Sequence, residues 1–449
     1  MTDPQPRQIL RFSERLSYGF GDLGFSLPYN MASAFLLYYY INVARLPAGA
    51  VGTIFLLARL LDAVVDILVG IAVDKTNTRW GRTRPYFLFT AIPYAIVFVA
   101  VFAIPQWSEG ARLIYAFLSF KALGILMSLG AIPYTALMPM MTARPEQRLK
   151  LSGMRSIGTS VSVVLGTAAT MPLVGLFGGG NQQRGFLAVA VLFAGFSMAA
   201  IFNLFRNCRE RHEISTATHQ AILPMVREML RNRAWLVSFA FCLIYFIRFG
   251  AMMSITPYFA IDVLHRPWMI SIMLPAVAGM LLLASFFAPP LYARLGIRHG
   301  CMTVLSLAGV LFLLLPLFEN NPPLFLACYL AASLATSLTI TAAFTMIADT
   351  VDYHEWQFGT RHEGVLSAGI SLATKVGMAI GSAGVAFLLA WISYRAEAVT
   401  PLASGAIRWS YYGGTIVLIF LQVFVVLAWP MDGLHQRIRT EIAARAMDA

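Results

Sequence analysis

Long apolar runs alternate with short polar connections along the whole chain, and each run is about as long as a bilayer is thick. Crossing roughly 30 Å of hydrocarbon takes about 20 predominantly apolar residues in a helix. Twelve such runs are read, at approximately 17–43, 48–73, 85–105, 112–141, 150–178, 184–205, 235–262, 268–293, 300–318, 323–350, 364–394 and 405–430. The longest charged connection, 207–233, separates six runs from six. The pattern predicts an all-α integral membrane protein. Its parts are a six-helix half over 1–206, a cytoplasmic linker over 207–233, a second six-helix half over 234–430 and a cytoplasmic tail over 431–449.

Composition agrees. Of 449 residues 58% are hydrophobic and only 12% charged, where soluble domains carry about a quarter. The mean hydropathy is +0.70. The net charge of +12 would suit a nucleic-acid binder only if it formed a basic domain, and it does not. The N-terminus, one alternate set of connections and the C-terminal tail carry 22 of the 33 Lys and Arg, the other connections carry 6, and five lie within runs. That asymmetry puts both termini in the cytoplasm. The stretch Met1–Leu16 is polar and has no apolar core followed by a cleavage site, so the first run is expected to direct insertion.

Other chemistry is thin. Cys208, Cys242, Cys301 and Cys328 form no CxxC pair and no His/Cys cluster of metal-ligand spacing, so they read as small packing residues. No disulfide, metal or cofactor is expected. His265, His299, His354 and His362 are placed in solvated connections. No nucleophile–base pair or phosphate loop is present, which makes a membrane enzyme or sensor the weakest reading.

The informative residues are charges inside the runs, which are costly unless paired or hydrated. Arg59, Asp62 and Asp66 share one helical stripe, since positions three and four apart are neighbours. Two carboxylates on a poorly solvated stripe repel, and a proton or another cation relieves the repulsion. The competing reading is an ion pair between Arg59 and one aspartate that locks helices together. Lys375, among Ser371, Thr374 and Gly377, lies too deep to snorkel easily. It is expected to meet Asp62 or Asp66, or a substrate. Arg248 is mid-run. Arg155 reads equally as a cavity residue or a surface residue, Asp22 as a capping or packing residue, and Lys121 as a shallower residue within snorkelling reach. Tyr29 and Tyr134 are candidates to line a cavity.

Two connections are dense in charge. One runs from Asp74 through Thr78-Arg79-Trp80-Gly81-Arg82. The other holds Asp349, Asp352 and Glu355 and continues through Arg361 and Glu363 to Gly364. Both suit ion-paired latches or a cytoplasmic gate.

These features together resemble the glycoside–pentoside–hexuronide:cation symporters of the major facilitator superfamily. The resemblance covers nearly the whole chain: Leu16–Asp22, Arg59/Asp62/Asp66, Thr78–Arg82, Ile132-Pro133-Tyr134, Arg155, Ala348–Gly364 and Lys375. The stretch Gly52–Phe89 looks most like bacterial glucuronide carriers. The resemblance implies a major facilitator fold of twelve transmembrane helices in two halves that rock about a central site. It also implies a small-molecule substrate, no nucleic acid, a bacterial inner membrane and a monomer. Asp62 and Asp66 would be cation-site carboxylates, Lys375 the link between cation and substrate sites, and Arg155 a substrate-side arginine.

The chain also departs from the pattern. Ser26 and Ala131 stand where melibiose carriers have sugar-binding acids, and Thr135 and Ile340 where they have cavity tryptophans. A neutral galactoside is therefore not expected. An anion such as a glucuronide is, and the alternative is an amphiphile such as a lysolipid or steroid conjugate. Val65 replaces the amide next to the second aspartate. Only Asp62, Asp66 and Ser128 then remain as oxygen ligands, too few for sodium, so proton coupling is expected.

Overall fold

The structure, a computed structural model, describes residues 10–142, 145–211, 222–359, 363–432, 438 and 441. The described residues are almost entirely helical, with one isolated bridge between Thr78 and Gly81. In hydrocarbon a helix satisfies its own backbone donors and acceptors, which is why apolar runs fold this way. In chain order the first helices are α1 (Phe12–Tyr38), α2 (Ala48–Lys75), α3 (Arg84–Val101), α4 (Glu109–Met141), α5 (Pro145–Val164), α6 (Thr170–Gly178) and α7 (Gln182–Asn207). There follow α8 (Ile222–Arg231), α9 (Arg233–Tyr258), α10 (Ile270–Leu314), α11 (Pro322–Phe358), α12 (Glu363–Trp391), α13 (Pro401–Trp409) and α14 (Thr415–Leu427).

Five-residue π-turns, Leu165–Ala169 and Ser410–Gly414, join α5 to α6 and α13 to α14 into continuous rods. Gly296 splits α10 into two limbs, with φ 71 and ψ 172 inside an otherwise helical run. Short α8 lies within the expected linker. Nine segments among the described residues are long and apolar enough to cross a membrane by length and composition.

The chain divides into two compact units. The first comprises Met1–Leu46 and Leu61–Ala217, the second Pro47–Leu60 and Thr218–Ala449. Residues 47–60 group with the second unit, which was not foreseen. Gly52 accounts for it: a Cβ there would lie 3.1 Å from the Ala386 Cβ, so this stretch of α2 lies close against α12.

Within each unit, glycines bring two helices together, as small residues do where helices pack in lipid. A Cβ at Gly19 on α1 would stand 2.6 Å from the Met154 carbonyl oxygen on α5. A Cβ at Gly377 on α12 would stand 2.7 Å from the Leu243 carbonyl oxygen on α9. Both units also carry the same helix ending. α1 runs into the π-turn Tyr39–Val43 and reaches left-handed Arg45 (φ 53); α9 runs into Phe259–Val263 and reaches left-handed His265 (φ 52). The backbone bonds match: Ala44 N to Tyr39 O at 2.7 Å and Leu46 N to Tyr40 O at 2.8 Å, against Leu264 N to Phe259 O at 3.0 Å and Arg266 N to Ala260 O at 2.8 Å. A proline follows each, Pro47 and Pro267.

Candidate functional site

Asp62 and Asp66 on α2 face α4. Asp62 and Lys121 are both buried, and Lys121 Nζ lies 2.5 Å from Asp62 Oδ1. One turn along α2, Asp66 accepts a hydrogen bond from Ser128 Oγ at 2.5 Å. Gly124, between the two donors, makes room: a Cβ there would sit 2.7 Å from Asp62 Oδ1. Positions 121, 124 and 128 share one face of α4, as 62 and 66 share one face of α2. Lys121 is therefore a buried partner of the stripe rather than a snorkelling residue. Arg59 is half-buried on the earlier stretch of α2.

A second polar cluster joins α1 to α5. Buried Asp22 accepts from Arg155 Nε at 3.1 Å, Thr159 Oγ1 at 2.5 Å and Ser26 Oγ at 3.3 Å. The Arg155 guanidinium lies 5.2 Å from the centre of the Tyr134 ring. Tyr134 stacks on Tyr18 at 4.5 Å, and its hydroxyl donates to the Tyr18 carbonyl at 2.8 Å. Asp22 thus holds two of the expected substrate-side residues, Arg155 and Ser26. Thr159, which sequence reasoning missed, completes its shell.

The remaining candidates are spread through both units. Tyr29 on α1 is half-buried, and Thr135 on α4 is exposed with its hydroxyl donating to the Ala131 carbonyl. In the second unit Ile340 on α11 is buried and Lys375 on α12 half-buried. Arg248 on α9 is buried, with its guanidinium carbon 5.1 Å from the Tyr245 ring centre and its Nε lacking a hydrogen-bond partner among the described residues.

In the α2–α3 connection, Arg79 lies over the Trp80 ring at 4.3 Å. The Glu210 carboxylate caps the start of α3. It accepts from the backbone of Arg82 (2.8 Å), Thr83 (2.7 Å) and Arg84 (3.2 Å), and from the Thr83 hydroxyl (2.7 Å). An acid at a helix N-terminus satisfies orphan donors and complements the dipole. The Asp74 and Glu363 side chains and all of Arg361 lie outside the described residues. At the end of α11, Asp349 is buried, and Asp352 and Glu355 are half-buried. Asp349 lines a cavity of about 970 Å³ with Arg294, His299 and Asp432. His354 corrects the expectation of a solvated connection: it is fully buried on α11, 3.4 Å from Asn232 Nδ2 and 3.5 Å from Glu228. His299 likewise lies on a helix, α10, where it is exposed.

All four cysteines are buried. Cys208 follows the end of α7, and burial pushes its thiol up to about 12. Among the described residues no group of three or more His, Cys, Asp or Glu side chains is placed to hold a metal ion.

Apolar spans carrying buried ion pairs, built into two helical units, define a multi-pass membrane transporter of the major facilitator fold. The model of the family described as MFS/sugar transport protein matches residues 17–433, and the chain belongs to that family; it is a transporter and not an enzyme. It is 31% identical over 445 residues to an isoprimeverose transporter of Lactiplantibacillus pentosus, covering 97% of this chain and 92% of that one. It is 29% identical over 444 residues to a glucuronide carrier protein homolog of Escherichia coli (strain K12), covering 98% of this chain and 97% of that one. A D-xylose-proton symporter of solved structure superposes with a TM-score of 0.64 at 14% identity, over 92% of this chain and 97% of that one. At that identity the superposition speaks for the fold alone.

Proposed function

We propose that the protein is a proton-coupled symporter for an anionic glycoside, with a glucuronide as first candidate. It works by alternating access as a monomer in a bacterial inner membrane, with both termini cytoplasmic. The observation that carries this reading is the pair of carboxylates on α2, each held by one donor from α4: Asp62 by Lys121 and Asp66 by Ser128. The two aspartates outnumber the one lysine that α4 brings to them, and a proton on the second carboxylate relieves the remaining repulsion. A charge moved through hydrocarbon costs several kcal/mol, so rocking is favoured only once that proton is aboard. Sodium would need several oxygen ligands, and Val65 supplies none beside Asp66.

Cationic residues support an anionic substrate. Arg248 is buried among tyrosines, and among the described residues no carboxylate lies within ion-pair distance of it. Arg155, already paired with Asp22, and Ser26, Tyr29 and Thr135 are the substrate-recognition candidates of the first unit; Lys375 and Ile340 join Arg248 in the second. Asp349, Asp352, Glu355, Arg361 and Glu363, with Asp74, Arg79 and Arg82, are the gate and latch charges of the same scheme. The names of the two relatives favour a sugar-type solute.

Uptake of a labelled glucuronide into proteoliposomes with an imposed inward proton gradient tests the reading. Sodium-dependent uptake at fixed pH, lost in Asp66→Asn, would overturn proton coupling. The second reading, an amphiphile such as a lysolipid or steroid conjugate, draws on the apolar Ala131 and Ile340. Lysolipids that compete with uptake where glucuronides do not would favour it.

A further inference from the structure

Three connections meet at one end of the first unit and line an open cavity of about 560 Å³. They are the end of α1 with Arg45, the α3–α4 connection with Gln106, and the turn with Asn181 that leads into Gln182 and Gln183 at the start of α7; Arg112 enters from the first turn of α4. The lining is amides and two guanidiniums, and among the described residues no carboxylate lines it. Arg112 is held in place by donating to the Ala44 carbonyl, and its Nε is buried with no hydrogen-bond partner among the described residues. Arg45 is exposed and set in the left-handed region at φ 53. The 26-residue helix α7 starts here behind the Asn181 cap, and a helix N-terminus favours an anion.

The second unit provides an internal control, because it repeats the same helix ending. There the connection that corresponds to Gln106 carries an acid, Glu319. Its carboxylate accepts from Arg408 Nη2 at 2.6 Å and the Tyr412 hydroxyl at 2.9 Å, while its backbone carbonyl accepts from Arg266 at 2.8 Å. That end of the second unit holds its own anion. The first unit has an amide in that place and a cavity.

We propose that the cavity in the first unit is an external capture site for a polyhydroxylated organic anion, a sugar acid, ahead of transport. A guanidinium binds a carboxylate through two parallel N–H donors. Each Asn or Gln amide offers both a donor and an acceptor to sugar hydroxyls. The volume lies in the usual range for small-molecule sites. An anionic lipid headgroup would bring the same oxyanion. The lining favours the sugar acid, since among the described residues its apolar side chains beyond Ala44 are Val43 and Ile104. The choice of ligand rests on the proposed anionic glycoside substrate.

The test is site-directed alkylation of Gln106→Cys in right-side-out vesicles with a membrane-impermeant maleimide. Gln106 is exposed in a connection and all four native cysteines are buried, so the label reads position 106. Phenyl glucuronide is expected to slow labelling several-fold and phenyl glucoside to leave it unchanged. Protection should persist with Asp62→Asn and vanish with Arg112→Gln; Arg45→Gln gives the same readout should Arg112→Gln fail to fold. Equal labelling with and without glucuronide overturns the site, as does protection that survives both arginine variants. Labelling from the cytoplasmic side only overturns its external placement. Nanodiscs separate the two oxyanion sources: slow labelling in anionic lipid, fast in zwitterionic lipid and indifferent to glucuronide, assigns the cavity to lipid and overturns the proposal. Transport without protection removes the capture site and leaves the transport reading; protection without transport does the reverse.

Discussion

Lys121 Nζ sits 2.5 Å from Asp62 Oδ1, and the two side chains are buried between α2 and α4. Removing one partner of a buried pair strands the other charge and typically costs about 3–5 kcal/mol. Lys121→Met and Asp62→Asn are each expected to lower the thermal midpoint in detergent. The double variant should be less destabilised than the sum of the singles, because it strands no charge. Strict additivity would show that the pair contributes no coupling.

The second carboxylate separates coupling from stability. Asp66→Asn keeps a side chain able to bond Ser128 Oγ, the 2.5 Å partner, but removes the charge that a proton would neutralise. It is expected to leave the thermal midpoint within about 1 kcal/mol of wild type, the size of one ordinary hydrogen bond. Gradient-driven accumulation should be abolished while substrate exchange across equal pH continues. Unchanged accumulation in Asp66→Asn would remove this carboxylate from the coupling step.

What the sequence revealed and what it withheld divide along range. Asp62 and Asp66 are four residues apart, and helical geometry alone puts them on one stripe. Their partners lie 59 and 62 positions further on, and no local periodicity encodes which helix faces which. Lys121 therefore reads from sequence as a shallower residue within snorkelling reach, and Glu210 escapes notice as a cap for α3, since the contact crosses more than a hundred residues. Apolar length predicted the rods well, including the break of α10, expected between 293 and 300 and found at Gly296. The π-turns that end α1 and α9 were not foreseen, because each closes its helix, and too little helix follows to show the phase shift that one extra residue gives the hydrophobic stripe. His354 was misread because α11 continues through the charged motif to Phe358, where a connection was expected.

Gly81 and Glu210 make a compact structural test. Gly81 has φ 104, and a Cβ there would stand 2.5 Å from Glu210 Oε2. Gly81→Ala combines a strained backbone with a clash against the cap, and is expected to destabilise by about 1–3 kcal/mol. Glu210→Ala should lower the thermal midpoint as well, by leaving the first amides of α3 without their acceptor. A thermal midpoint unmoved by both changes would contradict the cap.

Cys208 gives a pH readout outside the spans. Burial pushes its thiol up to about 12, against about 8.5 for a free cysteine. The folded state therefore favours the neutral thiol. This contribution to stability is fully present below about pH 8.5 and is lost as pH rises toward about 12. In the folded protein, maleimide labelling at position 208 should be negligible at pH 8 and rapid once detergent denatures the chain. Cys208→Ala should flatten any loss of stability between pH 8 and pH 10. Rapid labelling of native protein at pH 8 would contradict this burial.

The central claim is that protonation of the α2 carboxylates drives solute movement. The direct measurement is accumulation of a labelled glucuronide in proteoliposomes under an imposed inward proton gradient, for wild type and Asp62→Asn with matched folding and orientation. Accumulation above equilibrium by wild type, absent in Asp62→Asn and abolished by a protonophore, is the predicted result. Accumulation that survives in Asp62→Asn, or that ignores the proton gradient in wild type, would contradict it.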